Sequence, residues 1–252
     1  EQQLTGNDFR ALVVNNRLVA VAERIPANVV GDGKHTIEQL IEKENEDPRR
    51  GYGHENVLTE IEVDGQTLRL LAAKGYTVET VLPKGEVLHL KSTANISTGG
   101  TAIDRTDEVH PENVFLFERI AKIIGLDVAG IDIIAKNVTE PLHQQGGGII
   151  EVNAAPGFRM HLSPSDGIGR NVAEHVIDML FPRSAQARIP IFAITGTNGK
   201  TTTTRLIAHI LKGTGATVGF TTTDGTYIQN QKITTGDNTG PISAQLVLKD
   251  PT

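Results

Sequence analysis

Hydrophobic positions cluster in short runs whose spacing changes along the chain. Residues 8–15 and 17–24 are dense in Val, Leu and Ala and flank Asn15-Asn16, which predicts a β-hairpin with a tight turn. Residues 36–45 place apolar side chains at helical spacing behind Thr36, a residue suited to cap that helix. Residues 57–90 alternate short β-like runs with turns at Asp64-Gly65 and Pro83-Lys84-Gly85. A second helix is predicted over 111–124, opened by Pro111 and closed by Gly125. The apolar runs 128–134 and 148–152 read as strands carrying one acid each, and 169–180 reads as a third helix ended by Phe181-Pro182. A polar stretch then precedes a buried-type strand at 189–194 and a helix over 202–211. The pattern divides the chain into a module at 1–183, a linker at 184–188 and a second module at 189–252. No internal repeat is visible.

Composition narrows the class. The 252 residues are 38% hydrophobic but only 4% aromatic, enough for an α/β core without Trp. The lack of Cys removes disulfides, thiolate catalysis and cysteine–zinc sites, and fits a reducing, cytoplasmic setting. A net charge of −6 argues against a nucleic-acid partner. No run approaches the roughly 18 apolar residues of a membrane span, and the first residues lack a secretory pattern. The first residue is not Met and both ends read as cut, so a piece of a longer protein is expected.

Two constellations carry chemistry. Gly196, Thr197, Asn198, Gly199, Lys200, Thr201 and Thr202 lie between the predicted strand and helix, where a phosphate-binding loop belongs. Glycines let backbone amides approach phosphate oxygens, Lys200 supplies charge, and the Thr201 hydroxyl can hold Mg²⁺. The spacing is two residues shorter than the usual Walker loop. The second constellation is Asp132, Glu151 and Asn153. A carboxylate within an apolar strand is costly unless paired or metal-bound. Glu151 and Asn153, two apart, share one strand face. Three hard oxygen donors suit Mg²⁺ held against phosphates, while ordinary salt bridges are the alternative for each acid.

Residues 151–157 (Glu-Val-Asn-Ala-Ala-Pro-Gly), with Asp132 before them, resemble the metal-binding end of the ATP-grasp ligases, in which an Asp, a Glu and an Asn hold Mg²⁺ on ATP. Residues 8–14 with 22–24 resemble that family's strand pair, and the likeness implies that Arg10 and Arg24 face phosphate and substrate. Residues 95–100, beginning at Asn95, resemble its Asn-x-x-x-Gly-Gly loop near the acceptor. Residues 195–202 look like the short ATP loop of Mur ligases. The fold implied is an α+β ATP-grasp half followed by the start of an α/β P-loop, Mur-ligase-like domain with a parallel sheet. Few ligases fuse these modules in this order. The resemblance implies an ADP-forming ligase that makes amide bonds through acyl phosphates, using ATP and Mg²⁺. Aspartate, arginine and a polymer primer would be its partners, and the full-length protein would be a homo-oligomer. Arg10, Arg24, Asn95 and Lys200 are the implied catalytic residues.

The segment at hand, holding the metal end of one site and the phosphate loop of another, is expected to be inactive alone. Alternatives are a related ligase for other amino acids or preformed aspartyl-arginine dipeptides, and a P-loop nucleotide switch. The relatives of D-alanine ligase carry an Arg two residues before the strand Asp, where this chain has Gly130, so that phosphate contact must come from elsewhere. His161 could touch the acceptor or be a solvated loop residue. His54 could be a site residue or a polar residue at a strand start. Residues 221–224 resemble the segment lining the Mur cleft, or form a strand end.

Overall fold

The computed structural model describes residues 4–53, 56–182 and 188–252. The chain forms two compact units, Glu1–Ala185 and Gln186–Thr252. Residues 184–187 of the expected linker lie outside the described residues, as does His54.

The first unit is organised by one sheet. β1 (Asn7–Val14) and β2 (Arg17–Ile25) form the predicted hairpin, with Asn15 and Asn16 at φ 49° and 60°. Two consecutive positive φ values define the turn whose twist matches antiparallel strands, and Asn tolerates them well. β3 (Asn28–Val30), α1 (Ile37–Asn45), β4 (Arg50–Gly51), β5 (Leu58–Thr59), α2 (Gly65–Ala73) and β6 (Val87–His89) form a lobe with its own core of Ile37, Leu71, Leu82 and Leu88. β7 (Thr101–Asp104), α3 (Pro111–Ile124), β8 (Val128–Ala135), β9 (Gly148–Asn153), α4 (Arg159–Leu162) and α5 (Val172–Leu180) complete the unit. The main sheet runs β7-β2-β1-β8-β9, with every neighbour antiparallel.

Alternation along β1 sends Phe9, Ala11 and Val13 to one face, where they pack with Ile131 and Ile133 under Phe117 and Ala121 of α3. Leu12 and Val14 face the other way, onto Val172 of α5. Both faces are covered, so β1 is apolar nearly throughout. The exceptions are Asn7 at the strand's start and Asp8 and Arg10, the latter two on the α5 side.

Helix signals hold where caps are unambiguous. Thr36 caps α1 in a reciprocal box with Gln39, and α3 starts at Pro111 and ends at Gly125 with φ 79°. The expectation for 57–90 needs correction: Asp64-Gly65 is a helix start, because the Asp64 side chain accepts from the Thr67 amide and caps α2. Asp serves turns and N-caps by the same hydrogen bond, so the dipeptide alone does not separate them. The third helix begins at Val172 rather than 169, and the short α4 was not anticipated.

The second unit contains α6 (Lys200–Gly213), the antiparallel sheet β10-β11-β12 (Gly219–Thr222, Gly225–Ile228, Gln231–Thr235) and α7 (Pro241–Leu248). Among the described residues, 189–194 form no strand and the expected parallel pairing is not seen. After α6 the chain turns back on itself at Thr223-Asp224, so β10 pairs with β11 as a hairpin rather than beside 189–194. Ile189, Ile191 and Phe192 are accordingly exposed.

Candidate active sites

Strand register assembles the first site. Arg10 of β1 lies opposite Asp132 of β8, which lies opposite Glu151 of β9. One step along, Asp8 lies opposite Arg24 of β2. Residues opposite one another share a face, so five charged side chains on four strands project together. They line a cavity of about 370 Å³ with Asn95 at its wall.

Within it, the Arg10 Nε and Nη2 donate to the two oxygens of Asp132, the second at 2.9 Å, and Arg24 reaches Asp132 Oδ2 at 3.2 Å. Arg24 also donates to Asp8 Oδ1, at 2.6 Å from Nη2. The salt-bridge alternative for Asp132 thus holds in this state. Burial pushes the Asp8 carboxyl above its ordinary value despite the opposing pull of Arg24. Glu151 is exposed, and one of its oxygens accepts from Asn153 Nδ2 at 2.9 Å.

Asn95 begins a tight loop. Its carbonyl accepts from the amides of Thr98 and Gly100, both at 3.1 Å, and from the Thr98 hydroxyl at 3.0 Å. Its side chain makes no capping bond, and the residue lines the cavity. Gly99 has φ 90°, and a Cβ there would sit 2.7 Å from Ile61 Cγ1, so only glycine fits.

Gly130 lies beneath Arg10. A Cβ at that position would meet Pro156 Cβ at 2.5 Å and the Arg10 guanidinium Nη1 at 3.3 Å. The space above Gly130 is therefore taken first by Pro156 and next by Arg10 from the neighbouring strand.

His161 is not a solvated loop residue: it is 2% exposed, and its Nε2 has no hydrogen-bond partner among the described residues. Arg170 holds its segment down, donating its amide to the His161 carbonyl at 2.7 Å and its guanidinium to Asp104 and Asp107. Burial, then the positive charge of Arg10, offset in part by Asp104 and joined by a smaller push from Arg24, lowers the His161 pKa from 6.5 to about 4. The unfolded chain therefore binds more protons than the folded one between those values. Stability should be full above about pH 6.5 and fall toward pH 4, by at most about 1.4 kcal/mol per pH unit from this group. Urea unfolding from pH 7 to 4.5 should show a steeper loss in the parent than in His161→Gln; equal slopes would remove this assignment.

In the second unit, Gly199 has φ 79° and caps α6, whose first turn carries Lys200 and Thr201. Lys200 Nζ folds back onto the loop carbonyls of Gly196 and Thr197, the first at 2.6 Å. The predicted loop residues thus surround the amide end of a 14-residue helix, where an anion is favoured. Thr201 Oγ1 lies 3.3 Å from Thr223 Oγ1, which brings the 221–224 segment to the phosphate loop. Asp224 accepts from Thr222, Tyr227 and Arg205, and those bonds lower its pKa to about 2.

Among the described residues no three acidic or histidine side chains converge on one point. Asp132 and Glu151 are cross-strand neighbours on the cavity face, with Asn153 bonded to Glu151. One or two carboxylates completed by phosphate oxygens are what Mg²⁺ takes in nucleotide sites, so this donor set fits it. Thr201 offers one further hydroxyl at the other loop.

An antiparallel sheet carrying paired arginines and carboxylates, followed by a separate short P-loop, is the architecture of an ATP-grasp ligase half joined to the start of a Mur-type domain. The Mur ligase middle domain family matches residues 194–250. The structure of a bifunctional glutathione synthetase from Pasteurella multocida superposes with a TM-score of 0.62 at 35% identity, covering 72% of this chain and 25% of that one. Along its whole length the chain is recognisable as a segment of the cyanophycin synthetase family. It is 60% identical to the cyanophycin synthetase of Crocosphaera subtropica and 59% identical to that of Synechocystis, over 252 residues each. It spans 29% of the length of these curated relatives.

Proposed function

We propose that this chain is the junction of a two-site, ADP-forming ligase that makes cyanophycin, extending a poly-aspartate backbone at the first site and joining arginine to the aspartate side chains at the second. The observation that carries the reading is the meeting of Arg10, Arg24, Asn95, Asp132 and Glu151 in one cavity of a chain so similar to cyanophycin synthetases. The domain reading remains an ATP-grasp portion at 1–183 and a Mur-type portion at 189–252.

At each site a carboxylate would take the γ-phosphoryl group of ATP, giving an acyl phosphate and ADP. An amine would then attack the acyl carbon, expelling phosphate and releasing a proton as the amide forms. Mg²⁺, when bound, would neutralise phosphate charge. Asp132, Glu151 and Asn153 would hold it at the first site, and Thr201 at the second. Arg10 and Arg24 would turn from Asp132 toward phosphate and the developing oxyanion, a form of electrostatic stabilisation prepared before the reaction. Asn95 would orient the acceptor. Lys200 and the amides of residues 196–202 would bind the phosphates of the second ATP.

The test is ADP release by the full-length protein with a polymer primer, Mg²⁺, and aspartate and arginine supplied singly and in turn. Alternating dependence on both is expected. Turnover with neither, or with an aspartyl-arginine dipeptide alone, would overturn the assignment.

A further inference from the structure

Arg50 is a buried arginine without a carboxylate partner among the described residues. It is 8% exposed, and its Nε has no hydrogen-bond partner among them. Its Nη1 bridges two backbone carbonyls, Thr59 at 2.8 Å and Gly99 at 3.1 Å. Burial lowers the Arg50 pKa against the pull of Glu44 and Asp47, and its hydrogen bonds among the described residues go to backbone carbonyls, so the guanidinium acts on backbone position. The Gly99 carbonyl belongs to the loop that presents Asn95. That loop has little freedom elsewhere: a Cβ at Gly100 would lie 2.8 Å from the Asn95 and Ile25 carbonyl oxygens, and Gly99 sits against Ile61.

Arg50 also connects the loop to the other side of the site. The Arg50 carbonyl accepts from Asn56 Nδ2 at 2.7 Å, and the Asn56 carbonyl accepts from Arg159 Nη1 at 3.0 Å. Arg159 begins α4, six residues beyond Asn153. A line of hydrogen bonds thus runs from the segment after the carboxylate strand, through Arg50, to the loop of Asn95.

We infer that Arg50 is a positioning residue of the first site, fixing the loop so that the Asn95 amide faces the acceptor position. This rests on the proposed role of that cavity. Lysine is a poor substitute, because one guanidinium nitrogen here spans two acceptors at fixed angles.

The test uses the full-length protein and the variants Arg50→Lys, Asn95→Ala and the pair. Arg50→Lys should lower kcat/KM for aspartate addition by about 10- to 100-fold, the cost of displacing an orienting group by roughly 1 Å. The arginine-adding step and the Tm should stay near parental values. Because Arg50 acts through Asn95, the double variant should be no slower than Asn95→Ala. Independently of activity, amide exchange in peptides spanning residues 95–101 should accelerate at least tenfold in Arg50→Lys. Additive losses, aspartate addition within twofold of parental, or unchanged exchange would overturn the inference. Loss of both ligase steps with a lowered Tm would assign Arg50 to the fold instead. A parent without aspartate-dependent turnover would overturn the functional reading alone, and the exchange measurement would still judge Arg50.

Discussion

Lys200→Ala in the full-length protein should reduce arginine addition by roughly 10²- to 10³-fold while leaving aspartate addition at its parental rate. The magnitude follows from where the charge acts. Lys200 stands at the first turn of α6 beside the loop amides, where it would face the phosphates that gain charge as the bond to ADP breaks. Its present contacts are two bonds to exposed loop carbonyls, with no buried partner to abandon. Removing it should therefore change stability by no more than about 0.5 kcal/mol. The expected signature is loss of one of two amino-acid-dependent ADP-release activities at unchanged Tm. Loss of both, or of neither, would break the division of labour proposed for the two units.

Asp132→Ala should be the most damaging single change to the first unit. Asp132 is the anion between two guanidinium groups, and all three side chains are at most 10% exposed. Deleting it leaves Arg10 and Arg24 buried side by side, with Asp8 paired to Arg24 and the exposed Glu151 as the other acids of the cavity. Removing one partner of a buried pair typically costs about 3–5 kcal/mol, and urea unfolding should show a loss of that order in this unit. Asp132→Asn keeps the volume and one acceptor oxygen, so its stability loss should be smaller than that of Asp132→Ala, but it lacks the charge that the two guanidinium groups, and a cation with its phosphates, require. Aspartate addition should then remain abolished at saturating Mg²⁺, and parental activity in Asp132→Asn would refute the metal assignment.

The arginine pairing bears on how this site would load. Asp132 cannot serve a cation fully while two arginines occupy both of its oxygens. Asp132 would hold Mg²⁺, and the phosphates bound with it would give Arg10 and Arg24 another anion to face. A side chain at Gly130 would collide with Pro156 and crowd Arg10, so glycine there lets both pack over β8.

Much of this was legible before any coordinates. The Asn15-Asn16 hairpin, the capped helices α1 and α3, the strands bearing Asp132 and Glu151, and the glycine loop before α6 are all written in local patterns: turn residues, caps and period-two apolarity. The candidate residues could be named because their types are chemically unusual for their positions, such as an acid within an apolar strand.

What local pattern could not supply was register and cover. Nothing near Asp8 marks it as facing Arg24 in the same cavity, because that depends on which residue of β1 lies opposite which residue of β2. His161 lies in the short helix α4 between Met160 and Leu162, and only the packing around that segment shows that it is buried. Arg50 acquires its role from a carbonyl 49 positions away. The apolar run 189–194 has the composition of a buried strand but, among the described residues, no paired neighbour. The sequence by itself determined the elements, their caps and the inventory of reactive groups, because those depend on residues a few positions apart. Only the tertiary structure decided which of those groups meet, because pairing register and burial are set by the close packing of segments distant in the chain.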